Sequence, residues 1–120
     1  MEEKTKIIYV DDEEVNTTLF KINFSGKYNV LTGYSGLDGL KLLDENPDTK
    51  VIISDMKMPN MNGIEFIQKA KAKYPNKRFY ILTGFEITEE IRKALDNGLI
   101  HKYFKKPFNL NEIETAINEA

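Results

Sequence analysis

The chain has 120 residues, of which 41% are hydrophobic, and this is enough for one core of ordinary size but not for two. Its formal charge is −2, with 17 basic and 19 acidic residues, which argues against direct nucleic-acid binding by charge alone. Cysteine is absent and His101 is the single histidine, so disulfide scaffolds, thiol nucleophiles and multi-histidine metal centres are excluded.

The apolar runs of the chain are short. The longest near the start extends from Ile7 to Val10, far too few residues for a signal-peptide core or a membrane span. We therefore predict one cytoplasmic domain over residues 1–120, with neither a membrane nor a nucleic acid as its partner.

Five apolar or β-branched runs alternate along the chain with five segments of helical spacing. The predicted strands, in chain order, are Ile7 to Val10, Asn29 to Thr32, Val51 to Ser54, Phe79 to Leu82 and Tyr103 to Phe104. The helices that follow them are predicted from the apolar positions Val15, Leu19 and Ile22; Leu37, Leu40 and Leu43; Ile64, Ile67 and Ala70; Ile87, Ile91, Ala94 and Leu95; and Leu110, Ile113 and Ile117.

Residues typical of helix ends support these boundaries. Ser35 is placed to cap the second helix, Gly63 opens the third, and Thr88 precedes the fourth. The pair Asn97 and Gly98 predicts the end of the fourth helix, since glycine is favoured just beyond a helix C-terminus.

The alternation of strand and helix predicts the fold class. The run Val51 to Ile53 is apolar at consecutive positions, as expected when helices cover both faces of a parallel sheet. We predict an α/β fold with a doubly wound, five-stranded parallel sheet in the order 2-1-3-4-5 and right-handed crossovers.

Polar residues follow the predicted strands at the point where each ends. Asp11 and Asp12 follow the first strand, Asp55 the third, Thr83 the fourth, and Lys106 the fifth. Ligands of open parallel sheets bind at this edge, and the order 2-1-3-4-5 brings the three aspartates together. Because like charges repel, a cation is expected among them, and oxygen ligands favour magnesium or another hard divalent cation.

This set of side chains suits phosphoryl chemistry. The Asp55 carboxylate is a candidate nucleophile that accepts a phosphoryl group as an acyl phosphate. Asp11 and Asp12 are candidate metal ligands, Lys106 is a candidate partner of the phosphate oxygens, and Thr83 is a candidate hydroxyl donor.

A plainer interpretation applies to part of this set. Asp11 and Glu14 also fit a helix-capping pattern, in which they would compensate the helix dipole rather than hold a metal. Thr83 and Tyr103, taken singly, are ordinary strand-forming residues. Asp55 is harder to explain this way, because a carboxylate that ends an apolar strand needs exposure, a partner or a metal.

Four segments together resemble the response-regulator receiver domain, the family represented by the chemotaxis regulator of bacteria. They run from Val10 to Glu13, from Asp55 to Gly63 with its Met-Pro-x-Met-x-Gly pattern, from Leu82 to Gly84, and from Lys105 to Phe108. The resemblance spans nearly the whole chain and implies a flavodoxin-like three-layer sandwich.

The resemblance also implies a role for each acidic residue. Asp55 is implied to be the phosphoacceptor of a sensor histidine kinase or a phosphotransfer protein. Asp12, Asp55 and the main-chain carbonyl of Lys57 are implied to bind Mg²⁺, with Asp11 acting through water. Lys106, the lysine directly before proline, is implied to form the salt bridge of the site.

Other residues match the family's switch. Thr83 and Tyr103 correspond to the hydroxyl and aromatic positions that move on activation, and the bond before Pro107 is expected to be cis. Lys57 and Phe85 are expected to flank the site and to tune the access of water to an acyl phosphate. The implied output surface is the face of the fourth helix, fifth strand and fifth helix, read by an effector protein or a fused output domain.

Two alternatives to this phosphorylation switch remain open from the sequence. One is a magnesium-dependent phosphohydrolase with an aspartyl-phosphate intermediate, which would need a second acid where the chain has Lys57. The other is an interaction module of the same fold that is never phosphorylated. We expect self-catalysed phosphoryl acceptance and slow dephosphorylation rather than the turnover of an enzyme.

Overall fold

The computed structural model describes residues 4–84 and 87–120. Its five strands are β1 (Lys6–Val10), β2 (Asn29–Gly33), β3 (Val51–Asp55), β4 (Arg78–Thr83) and β5 (Lys102–Lys105). Its five helices are α1 (Glu14–Phe24), α2 (Gly36–Glu45), α3 (Gly63–Lys73), α4 (Glu89–Asp96) and α5 (Leu110–Asn118). The predicted alternation of strand and helix is confirmed, and β5 extends one residue beyond its predicted range at each end.

The sheet is parallel throughout and its strands lie in the order β2-β1-β3-β4-β5, as predicted. The order reverses between β1 and β3, where Val10 pairs with Ser54 in the register of the two strands. Ligands of such sheets bind at the carboxyl ends of the strands flanking this reversal.

Helices cover both faces of the sheet and enclose two hydrophobic clusters. The cluster beneath α2, α3 and α4 includes Ile8, Ile52, Phe66 and Ile91. The cluster beneath α1 and α5 includes Tyr9, Phe20, Phe24, Ile53 and Ile113. Neighbouring residues of β1 and β3 therefore point into opposite layers, which explains why these strands are apolar at consecutive positions.

Helix α1 buries a different face from the one that its aliphatic residues indicate. Val15, Leu19 and Ile22 predict the helix, yet Val15 and Ile22 are 68% and 71% exposed. The core side of α1 is filled by Phe20 and Phe24, whose ring centroids lie 4.5 Å apart with the planes tilted by 33°. The aromatic residues bury more apolar surface and thereby set the rotation of the helix.

Several predicted helix ends are confirmed. The hydroxyl of Ser35 accepts a hydrogen bond from the Asp38 amide at 3.1 Å, and that of Thr88 accepts one from the Ile91 amide at 3.2 Å. Beyond α4, Gly98 adopts a φ of 77°, a left-handed conformation that favours glycine.

The capping interpretation of Asp11 and Glu14 is only partly confirmed, because Glu14 lies in the first turn of α1, where an acidic residue compensates the helix dipole, but neither residue caps the helix with its side chain. Helix α1 has Glu13 as its N-cap residue, and no side chain caps this end. Instead, an oxygen of Asp11 accepts a hydrogen bond from the Glu13 amide at 3.0 Å, which fixes the turn between β1 and α1. The remaining oxygen of Asp11 faces other partners, described below.

Across residues 4–84 and 87–120, the longest helices have 11 residues, and none has the length and hydropathy needed to cross a membrane.

Candidate functional site

Three carboxylates meet at the carboxyl edge of the sheet. Asp11 and Asp12 directly follow β1, and Asp55 is the last residue of the adjacent strand β3. One oxygen from each lies within 4.8 Å of the others, although Asp11 and Asp55 are buried and Asp12 is exposed. The fold therefore concentrates acidic oxygens where the strand order reverses.

The loop after β3 depends on a close approach that only glycine allows. The amide of Gly63 donates a hydrogen bond to the main-chain oxygen of Met56 at 2.8 Å, so the start of α3 lies against the end of β3. A Cβ atom on Gly63 would collide with the main-chain oxygen of Asp55. In the same loop, Asn60 has a φ of 67°, a conformation that asparagine tolerates better than most residues.

Lys106 links two of the three carboxylates. Its Nζ atom lies 3.0 Å from Oδ2 of Asp11 and 3.1 Å from Oδ1 of Asp55. The Lys106 amide also donates a hydrogen bond to the main-chain oxygen of Thr83 at 2.8 Å, and the following bond to Pro107 is cis. The start of the β5–α5 loop is thereby held against the ends of β1, β3 and β4.

Burial changes the acidity of these groups. It raises the pKa of Asp55 to about 6, and the negative charge of Asp11 adds to this effect while Lys106 opposes it. Burial alone would lower the pKa of Lys106, but the hydrogen bonds and charges of Asp11 and Asp55 outweigh it, and that pKa is raised. Lys106 is therefore a cation that offsets part of the repulsion between the carboxylates.

A cleft of about 580 Å³ opens above the carboxylates. It is lined by Asp12, Glu13, Asn16, Asp55, Lys57, Met58, Pro59, Gly84 and Lys106. Lys57 thus flanks Asp55 as expected from the sequence, whereas Phe85 lies outside the described residues. A small molecule or a side chain of another protein can reach Asp55 through this opening.

The two predicted switch residues occupy neighbouring strands. Thr83 is the last residue of β4, is buried, and pairs in register with Lys105 of β5. Tyr103 is half-buried on β5, pairs with Ile81, and packs against the hydrophobic cluster beneath α4. The main-chain hydrogen bond from Lys106 to Thr83 connects the ends of β5 and β4 beside Asp55.

Tyr9 also belongs to the site, although it is not among the residues predicted from the sequence. Its hydroxyl donates a hydrogen bond to Oδ2 of Asp11 at 2.7 Å, inside the core. Burial, together with the charge of Asp11 and this hydrogen bond, raises the pKa of Tyr9 well above its ordinary value, so the hydroxyl keeps its proton. The alternation of side chains along a strand could have indicated this contact, because Tyr9 lies two residues before Asp11 and therefore on the same face of the chain.

The donor set suits a hard divalent cation. Three carboxylates supply oxygen atoms within 4.8 Å of one another, and the residues that line the cleft include neither cysteine nor histidine. Such oxygen ligands favour Mg²⁺ over softer metals. Lys106 compensates only part of the negative charge of Asp11, Asp12 and Asp55, and a bound cation would compensate the rest.

Comparison with known proteins agrees with this architecture. Residues 7–118 match the family model for the response regulator receiver domain. A chemotaxis protein CheY homolog of Campylobacter jejuni is 34% identical over 119 residues, covering 96% of this chain and 91% of that protein. A solved response regulator receiver domain protein from Clostridium thermocellum superposes with a TM-score of 0.89 at 31% identity, covering 96% of this chain and 92% of that one.

One further relative is much longer. A cyclic di-GMP phosphodiesterase of Thermotoga maritima is 27% identical over 117 residues, which cover 95% of this chain but only 30% of that protein. The similarity is thus to one part of the relative and carries no information about its remaining length. Because the family model covers almost the whole chain, and a relative more than 30% identical is matched over nearly its full length, the chain belongs to the response regulator receiver domain family of two-component signalling.

Proposed function

We propose that Asp55 accepts a phosphoryl group from a sensor histidine kinase or a phosphotransfer protein, and that this changes the surface offered to a downstream partner. The observation that carries the proposal is the position of Lys106, whose Nζ atom lies 3.1 Å from Asp55 beneath an open cleft. A nucleophile that lines an open cleft, with a cation beside it, is the arrangement that phosphoryl acceptance needs.

In the transfer step, an oxygen of the Asp55 carboxylate attacks the phosphorus atom held on a histidine of the donor. A phosphorus–oxygen bond forms, the phosphorus–nitrogen bond breaks, and its electron pair returns to the imidazole nitrogen. The Lys106 ammonium pairs with the phosphoryl oxygens, a charge-assisted contact that is stronger than a neutral hydrogen bond. The residues of the chain thus act mainly by positioning and by charge.

A metal completes the proposed charge balance. Asp12, Asp55 and the main-chain carbonyl of Lys57 would hold Mg²⁺, with Asp11 beside it acting through water. When bound, the ion would neutralise negative charge on the phosphoryl oxygens. The exposed position of Asp12 at the rim of the cleft supports this assignment, since an ion reaches it directly from solvent.

The proposed switch passes from the phosphate to the face formed by α4, β5 and α5. The phosphoryl group attracts Thr83 and Lys106, and the movement of Thr83 leaves space into which Tyr103 rotates. The hydrogen bond from the Lys106 amide to the main chain of Thr83 supports this coupling, because it makes the two residues move together. An effector protein or a fused output domain reads the changed face.

The experiment that tests this function is an NMR titration of the protein with fluoroberyllate, which mimics a phosphoryl group. We expect Mg²⁺-dependent shifts at Thr83 and Tyr103 in the unmodified protein and none in Asp55→Asn. An unmodified protein that does not respond would overturn the proposal. Repeated turnover of a small phosphate ester would instead favour a phosphohydrolase, and partner binding unchanged in Asp55→Asn would favour an unphosphorylated interaction module.

A further inference from the structure

Tyr9 contacts the site from within the hydrophobic core. It lies on β1 two residues before Asp11, and the alternation of side chains along a strand directs both toward the α1 layer. Its hydroxyl donates to Oδ2 of Asp11 at 2.7 Å, a short hydrogen bond to a buried carboxylate. Tyr9 is fully buried and does not line the cleft, so it has no access to a substrate.

The ring of Tyr9 is fixed by its packing. It stacks on Phe20 of α1 with the ring centroids 4.2 Å apart and the planes inclined by 8°. Because both residues are fully buried, the ring cannot turn without displacing its neighbours. The hydroxyl is therefore presented to Asp11 by the core itself.

Three donors hold the Asp11 carboxylate. Oδ1 accepts from the amide of Glu13 at 3.0 Å, and Oδ2 accepts from both Tyr9 and Lys106. Lys106 is the donor that Asp11 shares with Asp55. If Lys106 turns from Asp11 toward a phosphoryl group on Asp55, the buried carboxylate keeps the other two donors.

We propose that Tyr9 is a positioning residue for phosphoryl acceptance, whose hydroxyl holds Asp11 in place and thereby allows Lys106 to leave it for the phosphoryl group. The inference rests on the proposed function of Asp55. A buried carboxylate that loses a charged donor is costly unless its remaining oxygen sites are satisfied. Tyr9 reduces this cost without touching the phosphate or the metal ligands Asp12 and Asp55.

The test compares Tyr9→Phe, which keeps the ring and removes only the hydroxyl, with Tyr80→Phe as a matched control. Tyr80 is also fully buried, and its hydroxyl makes a long 3.4 Å hydrogen bond to the main chain of Ala116, away from the carboxylates. The readout is the affinity for fluoroberyllate at saturating Mg²⁺. We expect Tyr9→Phe to lower this affinity about tenfold, as for a hydrogen bond to a charged group, and Tyr80→Phe to leave it within about twofold.

A double-mutant cycle separates positioning from a general structural effect. In a Lys106→Ala background there is no ammonium to release, so Tyr9→Phe should change the fluoroberyllate affinity by less than about twofold. The same four proteins, unfolded by urea without metal, should also show non-additive losses of stability. Equal affinities for the unmodified protein and Tyr9→Phe, or additive effects in both measurements, would overturn the inference.

If Asp55 does not accept a phosphoryl group, the same experiments would give a different result. An unmodified protein that does not bind fluoroberyllate in the presence of Mg²⁺ would contradict phosphoryl acceptance itself. In that case the urea cycle still decides whether Tyr9 and Lys106 are coupled through Asp11. Unmodified protein that binds the mimic, together with Tyr9→Phe that binds it equally well, would leave the function standing and remove only the role of Tyr9.

Discussion

Asp55 carries its negative charge in surroundings that oppose it. The residue is 6% exposed, and burial together with the neighbouring Asp11 raises its pKa from the ordinary value of 3.8 to about 6. Lys106 limits this rise but does not cancel it. In the absence of metal, the ionised form of Asp55 therefore weakens the folded state, as is common for residues kept for chemistry rather than for stability.

Removing the negative charge of Asp55 should therefore raise the free energy of unfolding. Between about pH 4 and pH 6 the folded state binds a proton at Asp55 more readily than the unfolded chain does, so this contribution favours folding at low pH and is lost as pH rises through 6. We expect Asp55→Asn to raise the free energy of unfolding by about 1–2 kcal/mol near pH 8, part of the gain being offset because Lys106 loses a partner. The measurement is urea unfolding in EDTA at about pH 5 and about pH 8.

The control for this prediction is Asp96→Asn, which removes an exposed carboxylate at the end of α4. Its effect should stay within about 0.5 kcal/mol at both pH values. An Asp55→Asn variant whose gain in stability is as large at the lower pH as at the higher one would show that burial of the charge is not the cause.

Most residues of the site could be predicted from the sequence, because the apolar runs show where the parallel strands end and polar residues follow them. Asp11 and Thr83 directly follow apolar runs, Asp12 comes next after Asp11, and Asp55 comes one residue beyond the apolar run that ends at Ile53. The hydrogen bond from Tyr9 to Asp11 was not predicted, because a tyrosine within a strand is ordinarily taken for core packing. Whether its hydroxyl finds a partner depends on the rotamer that Phe20 imposes, and this is tertiary information.

At the scale of the elements, the β3–α3 connection sets the geometry of the site. Gly63 begins α3 directly against the end of β3, where Asp55 lies. Asn62 caps the helix by accepting from the Glu65 amide at 2.9 Å, while the Glu65 carboxylate accepts from the Asn62 amide at 3.2 Å. This capping box fixes where the helix starts and so where the loop returns toward Asp55.

Gly63→Ala should therefore be strongly destabilising. The added Cβ would meet the main-chain oxygen of Asp55 and the side chain of Ile81, and main chain cannot yield as a flexible side chain does. We expect a loss of about 2–4 kcal/mol in the free energy of unfolding. The matched control is Gly26→Ala, where no heavy atom lies within 4 Å of the new Cβ and a change below about 1 kcal/mol is expected. Equal losses at the two glycines, measured by urea unfolding, would refute the steric explanation.

In helix α1, the hydrophobic periodicity predicts the helix but not the face that is buried. Val15, Leu19 and Ile22 have helical spacing and predict the helix correctly, but they lie outside the core. Phe20 and Phe24, four residues apart, are equally periodic and fill the layer beside Tyr9. Two apolar faces compete in this sequence, and only the shape of the cavity between α1, β1 and α5 decides which one is buried.

In the molecule as a whole, the carboxylates and the predicted switch residues belong to different strands of one parallel sheet. The order β2-β1-β3-β4-β5 places Asp55 between the end of β1, which Asp11 directly follows, and β4, which ends at Thr83. Lys106 reaches Asp11 across 95 positions of the sequence, a contact that spans the sheet from the end of β5 to the end of β1. The sequence predicts this topology because buried parallel strands and their crossovers leave few alternatives.

The central claim is that Asp55 carries a phosphoryl group. Its most direct test is mass spectrometry of the intact protein after incubation with acetyl phosphate, with Mg²⁺ or with EDTA, followed by mapping of the modified residue. We predict that the protein gains the mass of one phosphoryl group only when Mg²⁺ is present, that the group maps to Asp55, and that Asp55→Asn gains none. An unmodified protein that gains no mass, or an Asp55→Asn variant that gains as much, would contradict the account.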